Sequence, residues 1–314
     1  MEKAVFLFPG QGSQYVGMGK EFYENFDIIR TFFDEASDVA GLDLKKLCFE
    51  GPESSLTQTE NAQPAVTLIN IAILEILRSE GIFPSACAGH SLGEYSALYA
   101  ANVIDFKGVM KLVKYRGTCM QEAAEKSLGG MTAIMGLGTD TIAKICEKVK
   151  GLGHAEIANI NSPRQVIISG EKNALEKAAE LAKKEGAKLI IPLKVSGPWH
   201  SKFMLEARQA MEGVLKTLSF REAHIPIIAN ATADYEFDPE LIKKNLIIQM
   251  TNPVLWAISM ERFIADGYGI FVEVGPKKAL SGLMRDTNRD VKIFGIENMR
   301  TLDRFLNATN QKDK

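Results

Sequence analysis

The chain has 314 residues, 46% of them hydrophobic and 24% charged, which suits one substantial core with an inserted subdomain or two modest domains. Lys+Arg 37 against Asp+Glu 39 leaves a formal charge of -2, so no long-range field draws in nucleic acid or an anionic membrane. Cys48, Cys87, Cys119 and Cys146 form no CxxC and have no His pair nearby, which argues against a zinc site or disulfide framework and for reduced thiols in a cytoplasm.

The N-terminal apolar run reaches Pro9 and Gly10 too soon for a secretory signal, and no stretch approaches the roughly 20 apolar residues that span a bilayer. A soluble, cytoplasmic, monomeric protein is expected, without nucleic-acid or membrane partners. Ala4–Phe8 reads as a buried strand ended by Pro9-Gly10-Gln11-Gly12. Helical periodicity follows over 20–40 and 62–79, then a short strand of small residues over 85–89, a helix over 92–101 and a longer one over 106–126. Strands alternating with helices imply a largely parallel, helix-covered sheet.

From Met131 the pattern changes to strand (131–137), helix (139–150), two strands (156–160 and 165–169) joined across Asn161-Ser162-Pro163-Arg164, helix (173–185) and strand (188–193). That β-α-β-β-α-β order is a ferredoxin-like unit. Gly129-Gly130 and Ser196-Gly197-Pro198 read as its hinges. The fold class is therefore α/β, with residues 1–128 and 197–314 forming the core and 129–196 an inserted ferredoxin-like subdomain. Strands are expected again near 225–229 and 270–274, and the Lys-rich end, Asn310 to Lys314, is expected to fray.

Gly89-His90-Ser91-Leu92-Gly93 matches G-x-S-x-G between a strand and a helix, the context in which the motif places a serine nucleophile on a sharp turn. The bland alternative is a plain glycine-rich turn. A serine nucleophile needs a base within hydrogen-bond reach, and the candidates are His90, His154, His200 and His224. His154 beside glycines and His224 before a strand read as surface residues, and the His90 side chain should leave the elbow on another side from that of Ser91. His200, between Ser196-Gly197-Pro198-Trp199 and a helical segment, is the favoured base. No acidic third member of a triad stands out.

At about 100° per residue, Val109, Leu112, Val113, Met120 and Ala123 form one apolar stripe, and Arg116 lies in its middle. A guanidinium there stays ionised and needs an anion. Either a core Asp or Glu supplies it, or the fork waits for a substrate carboxylate. Phe8-Pro9-Gly10-Gln11-Gly12-Ser13-Gln14 fails the dinucleotide pattern, because Tyr15 stands where its last glycine should be, and no Walker A sequence exists. The segment reads as a glycine loop with exposed N–H groups, the second half of an oxyanion hole. No metal site is legible.

Together with Gln63-Pro64-Ala65, Glu94-Tyr95, Arg116-Gly117, Asn161-Ser162-Pro163, Val195 to Ser201, Gln249 to Val254 and Phe271 to Pro276, these motifs resemble the malonyl-CoA:acyl carrier protein transacylase family of bacterial type II fatty-acid synthesis over essentially the whole chain. The resemblance implies an α/β-hydrolase-like core, a malonyl-serine intermediate, malonyl-CoA and acyl carrier protein as partners, and no cofactor or metal. It casts Ser91 as nucleophile, His200 as base and Gln249 as the residue orienting His200 through its backbone carbonyl. The N–H groups of Gln11 and Leu92 become the oxyanion hole, Arg116 the carboxylate ligand, and His90, Gln63, Asn159 and Asn161 cleft residues. Trp199, Gly197 and Lys277 depart from the family pattern, and the first two bear on acyl preference. The alternatives are a serine hydrolase or thioesterase, a polyketide-pathway transacylase of other acyl preference, and a non-catalytic docking domain.

Overall fold

The structure, a computed structural model, describes residues 3–310. From the N-terminus the elements are β1 (Ala4–Phe8), α1 (Lys20–Asn25), α2 (Asp27–Ala40), α3 (Leu44–Glu50), α4 (Glu53–Leu56), α5 (Thr59–Ser79), β2 (Ala86–Gly89), α6 (Gly93–Ala100) and α7 (Phe106–Glu125). The inserted unit comprises β3 (Gly129–Met135), α8 (Thr139–Lys148), β4 (Ala155–Ser162), β5 (Gln165–Glu171), α9 (Lys172–Lys184) and β6 (Leu189–Pro192). The remainder is α10 (Leu205–Leu215), β7 (Ile227–Ile228), β8 (Tyr235–Glu236), α11 (Pro239–Gln249), α12 (Trp256–Ala265), β9 (Ile270–Val274), α13 (Ala279–Thr287), β10 (Lys292–Ile296) and α14 (Met299–Asn310).

The larger sheet has the order β10-β9-β1-β2-β7-β8. Every pairing is parallel except β7 with β8. β1, β2 and β9 are buried along their whole length, as expected of parallel strands covered on both faces. The period-2 alternation divides β1 between two cores. Ala4, Phe6 and Phe8 face the cluster built on α5 and α7, while Val5 and Leu7 face the one that contains Trp256, Met260 and Phe263 of α12. α5 is buried almost all round, the mark of a helix inside a layer and not on its surface. Pro64 removes one N–H from this helix, and Lys114 Nζ reaches the Glu60 carbonyl that is left over, at 3.5 Å.

The smaller sheet, β4-β5-β3-β6, is antiparallel throughout, and its strand order is ferredoxin-like, as the sequence suggests. It meets the larger unit at an isolated bridge, Asn159 with Val254, where Ile160 N–H donates to the Val254 carbonyl and Val254 N–H to the Ala158 carbonyl, both at 2.9 Å. This bridge brings the end of β4 against the loop that follows α11.

Some expectations change. The helix expected over 20–40 breaks at Phe26, whose extended backbone (φ -129, ψ 116) separates α1 from α2, and Arg30 caps the freed Tyr23 and Glu24 carbonyls. Gly129 and Gly130, expected between regular elements, belong to β3 and pair with Glu171 and Gly170. Asn310 ends α14, and the rest of the stretch expected to fray lies outside the described residues. Among the described residues no helix is long and apolar enough to cross a membrane, and the four cysteines are buried and free.

Helices α5 and α7 approach closely at Gly117. A Cβ added to Gly117 would lie 2.9 Å from both the Glu60 Cα and the Thr59 carbonyl oxygen, so Gly117→Ala must part the helices that carry Gln63 and Arg116. Overpacking of this kind should lower stability by about 1–3 kcal/mol in urea unfolding. An unchanged transition would show that the close approach is not required.

Candidate active site

The elbow is built by close backbone approach. A Cβ on Gly89 would lie 1.9 Å from the Gly93 carbonyl carbon, and one on Gly93 would lie 1.9 Å from the Phe8 carbonyl oxygen. No side chain fits at either position, so the chain turns from β2 into α6 within a few residues and presses the turn onto the end of β1. Ser91, at the apex, has φ 50, a left-handed backbone that a serine adopts only when its surroundings hold it there. Asn230 is that support: its Oδ1 accepts from Ser91 N–H at 2.6 Å and its Nδ2 donates to the Gly89 carbonyl at 2.7 Å.

Ser91 Oγ lies 2.8 Å from His200 Nε2, and His200 Nδ1 lies 2.8 Å from the Gln249 carbonyl oxygen. A carbonyl can only accept, so Nδ1 carries the proton and Nε2 is left as the acceptor for the serine hydroxyl. Gln249 is the last residue of α11, and its carbonyl belongs to the negative end of the helix. His200 also has a left-handed backbone, φ 55, and is only 4% exposed. Burial and the nearby Arg116 charge push its imidazole down to about 3, which keeps it neutral and able to accept a proton.

Arg116 is 1% exposed. Its Nη1 donates to Gln63 Oε1 at 2.9 Å, and its Nη2 to Gln249 Oε1 at 3.0 Å and to Ser91 Oγ at 3.1 Å. Tyr95 lies beneath the guanidinium, 5.3 Å from ring centroid to Cζ. Its Nε–H has no partner, and among the described residues no carboxylate forms an ion pair with it. The buried cation is thus surrounded by neutral acceptors, one of them the serine hydroxyl itself.

These groups open on a cleft of about 340 Å³ between the two sheets, lined by Gln11, His90, Ser91, Arg116, Asn159, Asn161, Trp199 and His200 among others. Met131, Ala133, Ile167 and Leu193 give its far wall an apolar surface. Among the described residues the Gln11 and Leu92 N–H groups donate to no other group, as an oxyanion hole requires. His90 turns away from Ser91 to Asn161 Oδ1 at 2.8 Å, and Asn161 Nδ2 continues to Gln165 Oε1 at 2.9 Å. Burial lowers the His90 pKa, so it serves as a neutral strut.

Gln63 is the correction in this set. Expected in the cleft, it is wholly buried behind Arg116, with its side-chain amide between Arg116 and Met120 Sδ. Two of the passed-over histidines lie away from the site: His154 is half-buried against Phe203 and pairs with Glu156, while His224 is exposed beside Asn102. Lys277 has φ 62 and anchors the glycine loop by donating to the Gly12 carbonyl at 3.0 Å. The sequence pattern does not single out Asn230, and it marks Glu94 only as part of the motif after the elbow, with no role of its own. Asn230 was findable as a polar residue just after a short apolar strand, where parallel sheets gather their sites. Glu94 offered no more than an acid in the first turn of the helix after the elbow.

His200→Ala should slow acylation of Ser91 by about 10²–10⁴-fold while the protein still folds. Since the folded-state pKa is depressed from 6.5 to about 3, the base form persists as pH falls through 6.5. The rate at which a neutral fluorophosphonate labels Ser91 should therefore stay level from about pH 8 to about pH 5, because it reports the free enzyme's base. By linkage, the unfolded chain binds a proton below pH 6.5 that the folded chain refuses, so His200 subtracts stability on acidification and His200→Ala should flatten that slope. An acid limb centred at 6.5 would contradict the buried neutral imidazole.

A family model described as "Acyl transferase domain" matches residues 5–311. A malonyl CoA-acyl carrier protein transacylase of Bacillus subtilis (strain 168) is 42% identical over 314 residues, covering 100% of this chain and 99% of the other. An acyl carrier protein S-malonyltransferase from Vibrio cholerae O1 biovar eltor superposes with a TM-score of 0.93 at 40% identity, over 97% of this chain and 100% of that one. A complex of a type II polyketide-synthase acyl-carrier protein with its malonyl-transacylase matches with a TM-score of 0.93 at 38% identity, over 96% and 98% of the two chains. The chain belongs to the acyl transferase domain family.

Proposed function

We propose that this enzyme carries a malonyl group from malonyl-CoA to the phosphopantetheine thiol of an acyl carrier protein, as an ester on Ser91, and so supplies fatty-acid chain elongation. The observation that carries the reading is the pairing of two features at one hydroxyl. Ser91 Oγ is 2.8 Å from a base held by a neutral carbonyl and 3.1 Å from a buried guanidinium with no acidic partner among the described residues. A nucleophile whose neighbour is a cation with no acid in direct contact suits an acyl group that brings its own carboxylate. Gln249 fits the same logic, since a carbonyl in the place of a triad acid adds no full negative charge near that carboxylate.

In the first half-reaction His200 Nε2 takes the Ser91 proton as Oγ attacks the thioester carbonyl. The Gln11 and Leu92 N–H groups hold the oxyanion, and the intermediate collapses with loss of the coenzyme A thiolate, which His200 protonates. In the second half the carrier-protein thiol gives its proton to His200, attacks the malonyl ester, and Ser91 leaves with the proton returned. Arg116 takes the malonyl carboxylate in both halves, and Asn159 and Asn161 border the acyl chain from the β4 side. We further propose that 1–128 with 197–314 act as the catalytic body and 129–196 as the small subdomain closing the cleft over the pantetheine arm.

Intact-protein mass spectrometry after brief exposure to malonyl-CoA should show one malonyl adduct on the native chain and none on Ser91→Ala. Adding phosphopantetheinylated carrier protein should clear the adduct much faster than water does. An adduct that persists on Ser91→Ala would move the nucleophile elsewhere, and clearance by water at an equal rate would make the protein a hydrolase.

A further inference from the structure

Glu94 has no part in the proton transfers just described. It stands in the first turn of α6, is 0% exposed and does not line the cleft. Its Oε2 accepts from the Gln249 side-chain N–H at 2.8 Å and from Asn230 N–H at 3.2 Å, and its Oε1 has no partner. Gln249 passes this contact on. Its Oε1 accepts from Arg116 Nη2 at 3.0 Å, and its Nε2 also donates to the Ser91 carbonyl at 3.1 Å.

A buried carboxyl and a buried guanidinium are thus joined through one neutral amide and not directly. The amide presents its oxygen to the cation and its N–H to the carboxyl, so each polarises it in the same sense. A direct ion pair would occupy the fork that a substrate needs; the relayed one leaves the Nε–H free and keeps a compensating charge close.

We propose that Glu94 is a positioning residue that acts as a counterweight to Arg116. Through the Gln249 side chain it fixes the guanidinium and offsets part of its charge. It thereby sets how strongly the site prefers an acyl group ending in a carboxylate over a neutral one. This inference rests on the malonyl-transfer reading above.

Glu236 is a second buried acid in this part of the fold. Glu236 on β8 is 1% exposed, accepts from Asn245 through Oε1 and leaves Oε2 without a partner. β8 pairs with β7, the strand that leads to Asn230, and sets Glu236 opposite Ile227. The charged and titratable groups that act on this pair are Arg116 on α7, Tyr95 on α6 and Asp234 just before β8. Burial pushes Glu94 up to about 7, and burial together with the Glu94 charge pushes Glu236 up to about 8. Removing the Glu94 carboxylate strips Arg116 of its counterweight, because Gln249 joins the two directly.

The test is kcat/KM for malonyl-CoA and for acetyl-CoA, with phosphopantetheinylated carrier protein as acceptor, in the native enzyme, Glu94→Gln and Glu94→Ala, with melting curves alongside. Glu94→Gln and Glu94→Ala should each raise the malonyl-to-acetyl ratio about three- to tenfold. A purely structural role would move both substrates together and leave the ratio alone. An unchanged or lowered ratio in folded Glu94→Gln would overturn the counterweight. If Glu94→Gln does not fold, Glu94→Ala decides alone, and an unchanged or lowered ratio then overturns the proposal. Failure of the underlying reading shows separately, as a native enzyme that takes no malonyl group from malonyl-CoA.

Discussion

Gln249 is the residue on which the arrangement of the site depends. Its backbone carbonyl, at the end of α11, accepts from His200 and fixes the tautomer that leaves Nε2 facing Ser91. Its side chain links the Arg116 guanidinium, the Ser91 carbonyl and the Glu94 carboxyl. One residue thus orients the base, steadies the elbow and holds the cation, and it does so without a charge of its own. An aspartate in that position would orient the histidine as well, but it would also neutralise Arg116 and repel an anionic acyl group. The choice of a neutral acceptor and the unpaired state of Arg116 are two aspects of the same constraint.

That constraint is expensive to hold, and the fold shows how it is met. The nucleophile and the base both have left-handed backbones, φ 50 and φ 55, and each is held by a hydrogen bond from a different element: Asn230 after β7 for Ser91, Gln249 at the end of α11 for His200. The parallel sheet makes this possible by ending β1, β2 and β7 together, so that the glycine loop, the elbow and Asn230 meet at one edge. The inserted sheet adds the opposite wall through the bridge between Asn159 and Val254, a few residues beyond Gln249. Groups that do the chemistry and groups that enclose it are thereby tied to the same short loop.

Much of this is legible in the sequence, for physical reasons. The period-2 pattern of Ala4–Phe8, the glycines around Ser91 and the β-α-β-β-α-β order each follow from local geometry, and local geometry is what a sequence pattern carries. The cation at position 116 is conspicuous because it interrupts an apolar helix stripe. What the pattern left open, a core acid or a substrate carboxylate, depends on which side chains meet across elements. The structure offers Gln63, Gln249 and Ser91 as its partners in place of an acid. The same limit explains the misplacement of Gln63, since burial behind another side chain leaves no periodic mark. It also explains why Glu94 carries no legible role, because an acid in the first turn of a helix is ordinarily a solvated cap. The break at Phe26 and the contact of Lys277 with the glycine loop likewise come from tertiary packing.

The most direct measurement of the central claim, that Arg116 waits for the substrate's carboxylate, is made on Arg116→Ala. Malonyl and acetyl transfer rates are to be compared beside thermal melting. The expected result is a loss of about 2–5 kcal/mol of transition-state stabilisation for malonyl transfer, with acetyl transfer level or raised relative to it and the fold retained. A large drop in melting temperature with the malonyl-to-acetyl ratio unchanged would contradict it, and would return Arg116 to the role of a structural cation.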